Sequence, residues 1–128
     1  MEERITTAGI LRKEGLYFVA KRQKGGAIGE LWEFPGGKNR WGESEEETLQ
    51  REWEEELNLK ITVGKLLCVF DFTNKETLYH LKAYEVYCDN LLPLRMAVHT
   101  DYAWVNHKEL TTLAFAPSDQ SIVRILLA

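Results

Sequence analysis

The chain has 128 residues, of which 45% are apolar and 28% charged, with a formal net charge of −4 and a sequence pI near 5.4. This length supports one domain, residues 1–128, with a hydrophobic core, and an acidic surface is a poor partner for nucleic-acid phosphates. No apolar run approaches the roughly 20 residues of a membrane span, and Met1-Glu2-Glu3-Arg4 leads into no secretory h-region, so the cytoplasm is the expected location.

Ile5–Arg12 is apolar and β-rich, Lys13-Glu14-Gly15 reads as a turn, and Leu16–Arg22 reads as a second strand. Gln23–Glu30, with Gly25, Gly26 and Gly29, is expected to be a mobile loop. Leu31-Trp32-Glu33-Phe34 is a short apolar segment stopped by Pro35-Gly36-Gly37, which demands a tight turn. A helix is predicted from Ser44 to Leu57. Ser44 and Glu47 form a capping-box pattern, Leu49, Trp53 and Leu57 make the buried ridge, and Asn58 ends the helix in the left-handed conformation.

Strands are then predicted over Ile61–Phe72 and Thr77–Cys88 with a turn at Asn74, followed by a short strand at Ala103-Trp104-Val105. Pro117-Ser118 opens a terminal helix with Ile122, Val123, Leu126 and Leu127 on its apolar side. Cys68 and Cys88 sit among strand-like apolar residues and read as buried, reduced thiols. The order of strands, helix, strands, helix favours an α/β fold with a mixed sheet and helices packed against it.

The predicted central helix is densely acidic. Glu52, Glu55 and Glu56 fall at i, i+3 and i+4 and project within about 100° of one another, with Glu45 joining them two turns earlier. Glu47 and Glu54 point nearly the opposite way. Such a face can be an ordinary solvated surface, where like-charge pairs cost only a few tenths of a kcal/mol. In a concave, partly desolvated site, two carboxylates about 5 Å apart repel by roughly 3 kcal/mol at an effective dielectric of 20. A divalent cation then relieves the repulsion, and oxygen-only ligands favour Mg2+ or Mn2+ over zinc. Arg51, with Glu47 one turn before and Glu55 one turn after, is either a surface ion pair or a group that orients Glu55.

Taken together, Gly37, Glu43, Arg51-Glu52-Trp53, Glu55-Glu56 and Asn58-Leu59 resemble, at matching spacing, the signature box of the Nudix hydrolases. Asn58 stands where that box ends in glycine, and both tolerate the left-handed conformation. Trp53 stands where an aliphatic residue is commoner. Trp32 to Lys38 is similar to the segment preceding the box in the MutT-like branch. So are Ala20-Lys21-Arg22, Trp104-Val105, Glu109-Leu110 and Ala116-Pro117-Ser118-Asp119 in their places, and the resemblance covers roughly residues 5–127.

The resemblance implies an α/β/α sandwich and metal-dependent hydrolysis of a nucleoside diphosphate linked to another moiety. It implies Glu52, Glu55 and Glu56 as ligands of Mg2+ or Mn2+, the Gly36 carbonyl as a fourth, and Glu43 as an auxiliary carboxylate. Relatives often carry Glu-His in the loop before the Trp104 strand, where this chain has Val98-His99, so the water-activating base is expected to be His99, Asp101 or a box glutamate. Asp119 is the expected base contact, accepting from guanine or cytosine donors as an ionised carboxylate, and Phe34 either stacks on the base or belongs to the core. Arg22 and Lys38 are candidates for phosphate or sugar.

A (deoxy)nucleoside triphosphate of the 8-oxo-dGTP or cytidine type is thus the expected substrate, bound by a monomer or homodimer. Nucleotide sugars, dinucleoside polyphosphates or NADH are the alternative substrates, and a non-catalytic nucleotide sensor is the alternative role.

Overall fold

In a computed structural model that describes residues 1–128, the elements are β1 (Glu2–Lys13), β2 (Leu16–Arg22), β3 (Trp32–Glu33), α1 (Glu45–Leu57), β4 (Thr62–Asn74), β5 (Thr77–Tyr87), β6 (His99–Val105), α2 (His107–Leu110) and α3 (Pro117–Leu127). The sheet is mixed, as the order of elements predicts. Its strands run β3-β2-β1-β5-β4, with β6 on the other edge of β2. β1 and β5 are parallel from Glu2↔Thr77 to Leu11↔Val86, and the remaining pairs are antiparallel. No helix is long and apolar enough to cross a membrane.

Strand side chains alternate between two cores, which is the period of two that a sheet covered on both faces requires. Ala8, Ile10, Tyr17 and Val19 pack with Leu110 of α2 and Ile122 and Val123 of α3. Leu11, Phe18, Ala20 and Val86 pack with Leu49, Trp53 and Leu57 of α1. The result is an α/β/α sandwich in which α1 and α3 lie on opposite faces.

β1 and β2 pair only beside their turn, at Arg12↔Tyr17 and Lys13↔Leu16. The backbone edge of β1 left free beyond that point is taken by the glycine segment. Gly9 donates to the Pro35 carbonyl at 2.8 Å, Thr7 donates to the Gly37 carbonyl at 2.8 Å, and Asn39 donates to the Ile5 carbonyl at 2.9 Å. A Cβ on Gly36 would lie 2.1 Å from the Thr7 carbonyl oxygen, so only glycine fits there. This insertion brings residues 35–39 against the side of α1.

α1 carries the predicted caps. The Ser44 hydroxyl accepts from the Glu47 N–H and the Glu47 carboxylate accepts from the Ser44 N–H, while Asn58 closes the helix at φ 57 and ψ 34. Leu49, Trp53 and Leu57 have no exposed surface. The Trp53 indole N–H donates to the Pro35 carbonyl at 2.9 Å, and its ring lies over Gly9, where a Cβ would come within 2.6 Å of Nε1.

The other strands run beyond their predicted cores wherever a neighbour offers backbone partners. β1 starts at Glu2 because β5 is alongside, and β6 starts at His99 because β2 is. The β4–β5 turn is Lys75-Glu76 (φ 48 and 67) rather than Asn74, which pairs with Thr77 in a two-residue hairpin. α2 is a single capped turn with no apolar period to announce it. Leu127, predicted on the buried side of α3, is 41% exposed. Both cysteines are free thiols; Cys88 is buried and Cys68 is half-buried rather than buried.

Candidate active site

The carboxylates of α1 separate into distinct environments. Glu52 turns toward the glycine segment, where a Cβ on Gly37 would fall 2.5 Å from its Cδ and 2.6 Å from Oε1. Gly37 is therefore the gap that the Glu52 carboxylate fills. Glu56 is buried, whereas Glu55 keeps about half of its side chain in solvent. Glu47 is used in the cap. Glu45, expected on the same face as the cluster, instead reaches across to β5, where Tyr84 and Lys82 donate to it.

Arg51 ties the remaining carboxylates together. Its Nε and Nη2 donate to Glu43 at 2.7 and 3.0 Å, Nη1 donates to Glu52 at 2.8 Å and to Glu55 at 3.3 Å, and Nη2 also reaches the Lys38 carbonyl at 3.1 Å. The sequence paired Arg51 with Glu47 and Glu55. Its closest partner is Glu43, brought back to the helix by the turn before Ser44. Glu43 further accepts from the Thr48 hydroxyl at 2.7 Å and the Arg40 N–H at 3.1 Å. The Arg51 guanidinium holds the Glu43 carboxyl down to about 2, with Thr48 and Arg40 adding to it against the opposing effect of burial. Glu43 is thus an anchor for Arg51.

Behind Glu52 lies a group that the sequence did not single out. Glu33 of β3, Glu56 of α1 and His99 of β6 place ligand atoms within 4.8 Å of one another, and all three residues are buried. His99 Nε2 is 2.8 Å from Glu33 Oε2, and Arg22 Nη1 is 3.4 Å from the same oxygen. Glu56 Oε1 is buried with no hydrogen-bond partner. Burial, then the neighbouring Glu52 and Glu33 carboxylates, push the Glu56 carboxyl well above the usual range. A buried, unpartnered oxygen beside two further carboxylates is a donor set that fits a hard divalent cation.

His99 is not on a loop as expected. It is the first residue of β6, opposite Arg22, and its side chain has no exposed surface. Asp101, the other non-helical candidate base, lies on β6 across from Lys21 and is exposed.

Glu33, Gly36, Gly37, Glu52 and Glu56 line one part of a cavity of about 480 Å³ that also touches Arg22, Phe34, Lys38, Phe72 and Asp119. Asp119 is buried in the first turn of α3, where its Oδ2 accepts from the Phe34 N–H at 2.7 Å and its Oδ1 from the Ser118 hydroxyl at 3.1 Å. Burial pushes its carboxyl up to about 7, against the Phe34 hydrogen bond. The ionised form that accepts from base donors is therefore in balance near neutrality with a protonated one. Phe34 is core, 2% exposed and stacked on Phe115 with centroids 5.4 Å apart, although it also lines the cavity. Lys38 extends over the Tyr79 ring at 5.4 Å. An adjoining groove of about 380 Å³ is lined by Ile28, Phe70, Phe72, Pro117 and Ser118 among others.

One feature of the sequence could have disclosed Glu33: a carboxylate between Trp32 and Phe34 in an apolar strand points to the face opposite those rings. Nothing local could have placed His99 beside it, because that contact depends on β3 and β6 flanking β2 on opposite edges.

The profile of the NUDIX domain matches residues 6–124. The CTP pyrophosphohydrolase of Escherichia coli (strain K12) is 30% identical over 121 residues, covering 94% of this chain and 89% of that protein. An 8-oxo-dGTP diphosphatase of Buchnera aphidicola is 38% identical over 72 residues, 56% of this chain and 55% of that one. Among solved structures, that of the E. coli ORF135 protein is similar at a TM-score of 0.85 and 26% identity, covering 99% of this chain and 90% of the other.

Proposed function

Because the chain belongs to the NUDIX domain family and is a hydrolase acting on acid anhydrides, we propose that it cleaves (deoxy)nucleoside triphosphates to a nucleoside monophosphate and pyrophosphate. The observation that carries this reading is the joining, in one cavity, of the Gly36–Glu52–Glu56 carboxylate end with the buried Asp119 of α3. One end suits a metal-bound polyphosphate, and the other suits the donors of a nucleobase. The similarity to a CTP pyrophosphohydrolase and an 8-oxo-dGTP diphosphatase supports the same substrate class.

Glu52, Glu55 and Glu56, with the Gly36 carbonyl, would hold Mg2+ or Mn2+. A divalent cation supplies charge neutralisation between the carboxylates and the phosphates, and it lowers the pKa of a water. The protein's part is positioning. Arg51, anchored on Glu43, keeps the Glu52 and Glu55 carboxylates in place, and Lys38 and Arg22 meet the phosphate oxygens. With His99 enclosed behind Glu56 and Asp101 outside the cavity, the proton of the attacking water falls to Glu52, whose carboxylate lines the cavity. Asp119 accepts from base donors when ionised and donates when protonated. The nucleotide pool that such an enzyme serves is cytoplasmic.

A pyrophosphate-release screen over 8-oxo-dGTP, dGTP, CTP, dCTP, NADH and ADP-ribose tests the reading. Metal-dependent pyrophosphate from 8-oxo-dGTP or a cytidine triphosphate supports it. Turnover of NADH or ADP-ribose alone would overturn it.

A further inference from the structure

The buried group behind Glu52 has the composition of a metal site different from the one proposed for the helix carboxylates. Glu33, Glu56 and His99 come from three separate elements and converge to within 4.8 Å. Glu33 Oε2 and His99 Nε2 are 2.8 Å apart. Neighbouring ligands on a cation with bonds of about 2.1 Å sit roughly 3 Å from each other, so the pair is already spaced to share one. Glu56 adds to this, because its Oε1 is buried, has no partner, and belongs to a side chain that lines the cavity and adjoins both groups of carboxylates. His99 Nδ1 also has no partner, so no neighbour on that side of the ring holds that nitrogen to one protonation state. A cation between Nε2 and Glu33 Oε2 would take the place of the proton that Nε2 donates across their 2.8 Å hydrogen bond. The charge balances as well: two carboxylates match one divalent ion, whereas in its absence Arg22, 3.4 Å from Glu33, is the only cation in contact with either of them.

We propose that Glu33, Glu56 and His99 hold a divalent transition-metal ion, with Glu56 shared between this ion and the one held by the helix carboxylates. One imidazole in an oxygen set favours Mn2+, Co2+ or Zn2+ over Mg2+. The two positions therefore differ in metal preference, one all-oxygen and the other nitrogen-containing. The inference rests on the metal reading above only in sharing Glu56, and it does not depend on the choice of substrate.

Pulsed EPR on the full chain loaded with Mn2+ in excess Mg2+ tests it without reference to activity. The expected spectrum carries coupling to a directly bound imidazole nitrogen, and it changes to the 15N pattern in protein grown with 15N-histidine. That coupling persists in His80→Asn and is lost in His99→Asn. The isotope experiment on the unmodified chain stands even if the His99 variant fails to fold. Bound Mn2+ with only carboxylate and water signals overturns the proposal, as does coupling that survives in a folded His99→Asn protein. Failure to retain any Mn2+ under excess Mg2+ overturns it too, and pyrophosphate release in Mg2+ alone then shows that the enzymatic reading survives.

Discussion

Gly37 and Glu52 occupy one space: the Glu52 carboxylate lies where a Cβ on residue 37 would be, 2.5 Å from its Cδ. The glycine that opens the signature box is there to admit a carboxylate of the helix that closes it. Gly37→Ala is therefore expected to displace the Glu52 head group, a flexible chain end, while leaving the backbone bond from Thr7 to the residue 37 carbonyl intact. Turnover should fall by at least about tenfold, since a misplacement near 1 Å can cost about a hundredfold, with the melting temperature nearly unchanged. Steady-state kinetics alongside a thermal melt checks both halves.

Arg51 is the single donor that links Glu43, Glu52 and Glu55. Lysine keeps the charge but not the fork. Arg51→Lys should lower kcat by about tenfold or more with a smaller change in KM, and cost about 1–3 kcal/mol of stability through partly buried acceptors left unpaired. A variant with unaltered kcat would remove Arg51 from the positioning of the site.

Asp119 gives a pH signature. Its carboxyl rises from the ordinary 3.8 to about 7 on folding, mainly through burial. The folded protein thus holds a proton that the unfolded chain releases between those values. Its contribution to stability is full below about pH 4, is lost as pH rises to about 7, and is flat beyond. Asp119→Asn keeps an acceptor for the Phe34 N–H and has no such dependence. The melting temperature of the variant minus that of the parent chain should therefore climb between pH 4 and 7; a difference that stays flat contradicts the burial account.

Trp53 and Gly9 should be energetically coupled. Gly9→Ala alone drives a methyl to within 2.6 Å of the indole and is expected to cost about 1–3 kcal/mol. Trp53→Leu alone leaves a void and removes one of the two donors to the Pro35 carbonyl, the other being the Gly9 N–H. Combined, the methyl enters the vacated space. A double-mutant cycle by chemical denaturation should return a coupling of the order of 1 kcal/mol or more, and simple additivity would show that the contact is slack.

Much of this geometry was legible in the sequence where the signal is local. The α1 boundaries follow from Ser44, Glu47 and Asn58, whose caps depend only on residues within one turn. The proposed metal ligands Glu52, Glu55 and Glu56 follow from spacing on one helix. What escaped was decided by partners distant in sequence. Glu45 sits on the acidic face by angle but is drawn to Lys82 and Tyr84 because β5 passes there. His99 reads as a loop residue until β2 offers it a strand partner and Glu33 meets its ring. Phe34 reads equally as a stacking platform or as core until Phe115 takes its face.

Glu56 is where the account is most exposed, since it carries the unpartnered oxygen and lines the cavity. The most direct measurement is product analysis for the parent chain and Glu56→Gln with 8-oxo-dGTP and CTP, with and without Mg2+. The expected result is a nucleoside monophosphate and pyrophosphate from the parent chain only when metal is present, and a loss in kcat of about a hundredfold or more in the variant. Metal-independent turnover, release of orthophosphate in place of pyrophosphate, or a folded Glu56→Gln protein with near-normal kcat would contradict it.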